Sequence, residues 1–316
     1  MTITPRLALM LSLPPLLWAG NAVVGRLAIT SIPPLWLNAG RWALALALLL
    51  PLGWRAFAGA RRRGQIAARW RHLALLSLTG VGAYNALQYL ALKTSTPLNV
   101  TLIAASSPVW MLAIGALFHG EHPRRAQVAG AALSLAGVAV VLSRGEWAAL
   151  GRVQLVPGDL LMLLAIFSWC IYSWMLARPP ASMRGALRPD WNWAEFLSLQ
   201  IALGLLWATA AAGVGEWVAP TPRAIVWTPW LVAAVLYVSI GPSLIAYRLW
   251  GLGVAAAGPA VAAFFGNHTP LFAALLSAAL LGEWPQPFHG GAFALIVAGI
   301  VVSLWPSVAH RPMTPP

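Results

Sequence analysis

Ten stretches of this chain run for 18 residues or more with at most one Asp, Glu, Lys or Arg. They are 7–25, 27–54, 72–92, 94–120, 126–143, 160–177, 196–215, 224–247, 249–282 and 284–310, and the only charge among them is Arg41. A helix needs roughly 20 apolar residues to cross the hydrocarbon of a bilayer. Lipid offers nothing to backbone N–H and C=O groups, so each crossing segment must satisfy them within itself, as a helix. A membrane barrel would instead alternate polar and apolar positions, and these runs do not. The expected fold is an all-α integral membrane protein with ten transmembrane helices. Charged residues make up 9% of the chain, against roughly 25% in soluble domains, which leaves too little polar surface for a water-facing fold.

The 20 Lys and Arg far outnumber the 7 Asp and Glu, but they sit between the apolar runs. That arrangement points to loops on an anionic lipid leaflet and not to nucleic acid. The first span, following Met1–Arg6, reads as uncleaved because similar runs follow it. With the N-terminus inside, the cytoplasmic side holds Arg6, six arginines from Arg55 to Arg71, Arg124, Arg125, Arg178, Arg184, Arg188, Arg248 and Arg311. The outer side holds Arg26, Lys93, Arg144, Arg152 and Arg223. The bias places both termini in the cytoplasm of a multi-pass protein of the bacterial inner membrane. The single cysteine, Cys170, excludes a disulfide framework and reads as a packing residue.

The halves echo each other. Pro97 and Pro108 recur as Pro259 and Pro270, Gly120-Glu121 as Gly282-Glu283, Pro123 as Pro285 and Gly137 as Gly299, all 162 positions on. Trp18 and Asn21 face Trp169 and Tyr172 at a shorter offset. Five spans is an odd number, so a second copy must lie upside down relative to the first. The expected units are residues 1–150 and 151–316. Inverted repeats recur in secondary transporters, where substrate binds near midplane and the halves rock about it in alternating access.

The first span reads Leu17-Trp18-Ala19-Gly20-Asn21, then come Pro33-Pro34 and Gly40-Arg41-Trp42; each half ends with a mid-span proline, a Gly-Glu and a helix of small residues. In these features the chain resembles the EamA-type members of the drug/metabolite transporter superfamily. The resemblance implies two inverted five-helix repeats around a cavity lined mainly by spans 1, 3, 4, 6, 8 and 9. It also implies export of amino acids and related metabolites, the aromatic interior being most similar to YddG-type exporters. Span 7 has no counterpart of Arg41, so the symmetry there is imperfect.

Substrate-contacting candidates are aromatic or polar residues sharing a helical face at mid-span. They are Trp18 with Asn21, Tyr84 with Gln88, and Trp169 with Tyr172. Pro108 and Pro270 should bend spans 4 and 9 by removing a backbone donor. The bends bring Ser106, Asn267 and His268 into consideration. His268 reads as a neutral, hydrogen-bonded ring or as a proton-coupling group. Arg41 reads as a side chain snorkelling to the interface near Pro34, or as a gate or carboxylate anchor. Glu121 and Glu283 suit the N-termini of the helices that follow, and Trp36, Trp54, Trp70, Trp147, Trp191, Trp193, Trp227, Trp230 and Trp305 suit an interfacial belt.

No Walker A, HExxH or GxSxG pattern occurs, so neither catalytic residues, metal nor cofactor are expected. The function expected is small-molecule transport by a monomer in lipid; the alternative is a membrane-embedded transferase acting on a lipid.

Overall fold

Proline opens many of the helices. In the computed structural model, which describes residues 4–143, 145–146, 156–217 and 224–304, seven of the helices that follow begin with it. A first-turn N–H has no helical partner, so proline loses nothing there. The helices are α1 Pro5–Ala28, α2 Pro34–Gly53, α3 Gly59–Ala67, α4 Trp70–Ser77, α5 Tyr84–Ala91, α6 Pro97–Ala104, α7 Ser107–His119 and α8 Arg125–Leu142. They continue with α9 Pro157–Ala177, α10 Trp193–Trp217, α11 Pro229–Val238, α12 Ala246–Ala257, α13 Pro259–Gly266, α14 Thr269–Leu281 and α15 Pro287–Leu304. Thr4, Thr96 and Thr228 cap α1, α6 and α11 through their hydroxyls. Asn192 and Glu195 cap α10 reciprocally, the Asn192 carboxamide accepting from Glu195 N (2.9 Å) and Glu195 accepting from Asn192 N (2.8 Å). Gly120 and Gly282 end α7 and α14 in the left-handed conformation, at φ 65° and 67°.

All regular structure among the described residues is helical. Seven stretches are long and apolar enough to cross a membrane: Pro5–Ala28, Pro34–Phe57, Pro97–His119, Pro157–Ala177, Trp193–Gly215, Pro229–Ala257 and Pro259–Leu281. Arg125–Val140 and Pro287–Ser303 are shorter apolar helices. The run 72–92 is divided between α4 and α5 by a wide π-type turn, Leu78–Ala83. A second such turn, Ser239–Ile245, lies between α11 and α12.

Several expectations change. The connection expected from Arg248 to Pro259 shrinks to Gly258, whose φ of 81° followed by Pro259 stops the helix; Arg248 therefore stands on α12. Glu121 does not cap α8 but forms an ion pair with Arg178 beyond α9. Trp191 is buried in protein and stacks on Phe196 at 6.4 Å. Arg144, Arg152, Arg223, Arg311, Trp147 and Trp305 lie outside the described residues.

Lipid tails are as apolar as leucine, so helices gain by close backbone approach at small residues. Helices α8 and α15 meet in this way. A Cβ on Gly130 would collide with the Gly299 carbonyl, one on Gly299 with the Gly130 carbonyl, and one on Gly137 would lie 2.8 Å from the Ala292 carbonyl.

Candidate functional site

At the centre a cation is buried without an acid. Arg41, seven residues beyond the start of α2, is 0% exposed. It does not snorkel, because acceptors from three other elements surround it. Its Nε donates to Ser243 Oγ (2.9 Å) and Nη2 donates to the same oxygen (2.7 Å). Nη1 donates to Asn21 Oδ1 (2.9 Å), Asn85 Oδ1 (2.8 Å) and the Tyr89 hydroxyl (2.7 Å). The rings of Trp42 and Tyr89 lie 5.2 and 5.6 Å from the guanidinium carbon, close enough for cation–π attraction. Tyr89 donates to Asn21 Oδ1 (2.7 Å), and the Asn21 amide donates to Gln88 Oε1 (2.8 Å). No carboxylate among the described residues pairs with Arg41. An intramembrane arginine costs on the order of 3 kcal/mol even on insertion scales, and here neutral oxygens and ring faces offset that cost.

The two wide turns supply acceptors to this region. A π-type turn widens the helix and releases carbonyls from their usual partners. In the first turn the Thr79 carbonyl accepts from Ser168 Oγ (2.8 Å), Gly80 from the Tyr247 hydroxyl and Gly82 from the Asn38 amide (3.3 Å). Gly80 has to lack a Cβ, which would run into the ring of Tyr172. In the second turn the Pro242 carbonyl accepts from Trp18 Nε1 (3.2 Å), and Ser243 Oγ donates to the Val238 carbonyl (2.7 Å) while holding Arg41.

Beside the polar group lies a knot of aromatic rings. Trp169 is its hub, with centroids 5.1 Å from Trp18, 5.0 Å from Tyr84, 5.0 Å from Tyr172, 5.4 Å from Tyr247 and 5.3 Å from Trp250. Tyr247 joins the two groups, because its oxygen accepts from the Asn85 amide (3.2 Å). Beneath Tyr172 and Tyr247 a hollow of about 480 Å³ extends past Gln200, Phe196 and Arg248 to the 179–193 loop. A second hollow of about 620 Å³ adjoins it, sharing Leu176, Pro179, Met183, Arg188 and Ala255. Arg41 lines neither hollow. The arrangement is a pair of adjoining hollows under aromatic rings, with a hydrogen-bonded cation beyond those rings.

The residues singled out in the sequence divide into two sets. Trp18, Asn21, Tyr84, Gln88, Trp169 and Tyr172 come together with Arg41, although of these only Tyr172 reaches the hollow. Ser106, Asn267 and His268 do not join them. Helices α6–α7 and α13–α14 do break before Pro108 and Pro270, but the second break turns toward α8, where the Asn267 amide reaches Ser134 Oγ at 3.5 Å. His268 Nδ1 lies 2.9 Å from the Phe265 carbonyl. Asn85, Tyr89, Ser243, Tyr247 and Trp250 were not singled out in the sequence. Their signals were present: Asn85, Gln88 and Tyr89 share a face at i, i+3, i+4, and the bonded pair Asn85–Tyr247 stands at the repeat offset of 162.

Long apolar helices around an internal polar and aromatic core, with two adjoining hollows, define a polytopic membrane protein. The EamA-like transporter family profile matches residues 6–143 and again 156–305, and the chain belongs to that family. An Archaeoglobus fulgidus protein described only as a transporter is 28% identical over 93% of this chain and 96% of its own. The aromatic amino acid exporter YddG of Ancylobacter novellus is 27% identical over 91% and 93%. A probable terminal-alkyne amino-acid exporter of Streptantibioticus cattleyicolor is 25% identical over 73% and 71%. A solved crystal structure superposes with a TM-score of 0.66 at 23% identity, covering 95% of this chain and 96% of that one, a likeness of fold.

Proposed function

We propose that this chain is a secondary transporter that exports small metabolites of the amino-acid class by alternating access between two antiparallel five-helix units, residues 1–150 and 151–316. The observation that carries the reading is the bond from Arg41 of the first unit to Ser243 of the second, on the far side of the aromatic rings from the hollow. Such a latch must break for the chamber to open on the other side.

Reciprocal contacts support a two-fold relation between the units, and an odd number of spans in each makes that relation antiparallel. Gly130 meets Gly299 and Gly137 meets Ala292. Shifting each residue by 162 converts the first pair into the second, as a two-fold relation requires. Three further spans, α4–α5, α8 and α15, bring the seven long helices to ten. The arginines at 178, 184 and 188 on the walls of the hollows favour a cytoplasmic position for that end, with both termini, by the positive-inside bias. The names of the YddG and terminal-alkyne amino-acid exporters favour amino acids as the substrate class. The protein acts as a monomer in lipid, with Trp18, Tyr84 and Trp169 forming the ceiling that substrate passes.

Counterflow in proteoliposomes with a panel of labelled amino acids and related acids tests this. Exchange above empty vesicles is expected, falling about tenfold or more when Trp18, Tyr84 or Trp169 is changed to Ala. Exchange of no solute by folded protein, or unchanged exchange in all three variants, contradicts it.

A further inference from the structure

The charged side chains of the 480 Å³ hollow are all basic. Arg188 and Arg248 line it, with His72, and no Asp or Glu does. The acids nearby are engaged elsewhere. Asp190 is bound by Arg62 at 3.0 Å and lies 3.9 Å from Arg61. Glu195 caps α10 and sits 3.7 Å from Arg62, and Glu121, beside the adjoining hollow, is paired with Arg178. The best neutral acceptor on the wall, Gln200 Oε1, already accepts from the Tyr172 hydroxyl at 3.0 Å.

An ammonium brings three donors, a positive charge and no acceptor, and no carboxylate on this wall answers it. A carboxylate requires donors. Arg248 offers them: its guanidinium is half-buried, stacked 4.8 Å from the Trp193 ring, with no carboxylate beside it among the described residues. Its planar fork matches a carboxylate in geometry as well as charge. The apolar remainder, with the faces of Tyr172, Phe196 and Tyr247, suits a ring.

We infer that this hollow binds aromatic carboxylates, with the carboxylate at Arg248 and the ring between Tyr172, Phe196 and Tyr247, and that an α-ammonium group is not recognised. The inference rests on the transport reading of the same chamber and departs from its substrate class, putting organic anions in place of amino acids.

The test is calorimetric titration of the full chain in detergent with three probes that share one ring: 3-phenylpropionate, L-phenylalanine and phenethylamine. 3-Phenylpropionate is expected to bind about tenfold more tightly than phenylalanine, and phenethylamine not at all. Arg248→Gln should weaken 3-phenylpropionate about tenfold and Arg248→Lys by less, since charge returns without the fork. Arg63→Gln, on the exposed face of α3, should change nothing, which separates the site from bulk positive charge. Tighter binding of phenylalanine or phenethylamine, no binding of 3-phenylpropionate, or an Arg248→Gln variant that binds normally would overturn the inference. Counterflow distinguishes the two readings. Phenylalanine binding tightest and exchanging leaves transport standing and removes the anion preference. 3-Phenylpropionate binding as stated, with no solute exchanging, leaves the chamber chemistry and removes transport.

Discussion

Arg41 and Arg248 are both arginines on membrane helices without an acidic partner, yet their surroundings are opposite. Arg41 is 0% exposed, and each of its three side-chain nitrogens donates to neutral oxygens drawn from α1, α5 and the second wide turn. Arg248 stands on the wall of an open hollow and leans on one indole. Buried positive charge can thus do two jobs in one protein. A guanidinium whose donors are already used holds helices together and is not free to bind. One whose donors are unspent can meet an anion. From sequence, gate and carboxylate anchor are alternative readings of Arg41 alone; under the proposals above, those roles fall to different residues.

The largest effect expected on stability is at Arg41. Arg41→Ala strands Asn21, Asn85, Tyr89 and Ser243 around a vacated space. Hydrogen bonds to charged groups contribute roughly 1.5–3 kcal/mol each, so denaturation in detergent should show a loss of about 3 kcal/mol. Arg248→Gln should stay within about 0.5 kcal/mol, as surface changes do. Equal losses would erase the distinction between the two arginines. Next comes Gly80→Ala, whose methyl meets the Tyr172 ring; overpacking of this kind costs about 1–3 kcal/mol, and exchange should slow with it. If Gly80→Ala is neutral in both assays, the first wide turn does not seat the ceiling.

Smaller effects are expected away from the chamber. Asn267→Ala should lower stability by about 1 kcal/mol and leave exchange unchanged. His268→Gln should leave the pH dependence of exchange as it was, because the ring serves the Phe265 carbonyl. A flattened profile would return His268 to the mechanism. The smallest effect concerns Asp190 in the 178–192 loop. The hydrogen bond from Gln65, aided by Arg62 and Arg61, holds its carboxyl below the ordinary 3.8. A depressed folded value means that its tie to α3 is complete above that ordinary value and is lost as pH falls below it, through the folded one. Protection of the amides in 59–67, taken as exchange relative to the intrinsic rate at each pH, should therefore be constant from neutral pH down to about 4 and weaker at lower pH, a modest change because the site is exposed.

Much of this architecture was legible as uncharged runs punctuated by proline. The runs 7–25, 160–177 and 196–215 correspond to α1, α9 and α10, because charge is what a lipid-facing helix interior excludes; proline is tolerated there, as Pro14 and Pro15 inside α1 show. The first wide turn was not legible. The run 72–92 has no proline or charge to mark Leu78–Ala83; the turn forms because side chains of α9, α12 and α2 take its carbonyls. The direction of Arg41 was hidden for a similar reason. Depth along α2 suggested the interface, but four common polar residues from distant segments decided otherwise. At Ser106 and Asn267 the reverse occurred. Proline marked the breaks correctly, but a break in the backbone does not reveal which neighbour it faces.

If Arg41 latches the halves while Arg248 receives the substrate, the two arginines should act on different kinetic constants. The most direct test is initial-rate exchange in proteoliposomes, separating KM from maximal rate for Arg41→Gln and Arg248→Gln with whichever solute the wild type exchanges fastest. Arg41→Gln is expected to lower maximal rate about a hundredfold with KM nearly unchanged, and Arg248→Gln to raise KM about tenfold at nearly full maximal rate. The opposite split, with KM moving at Arg41 and maximal rate at Arg248, would contradict this division of labour.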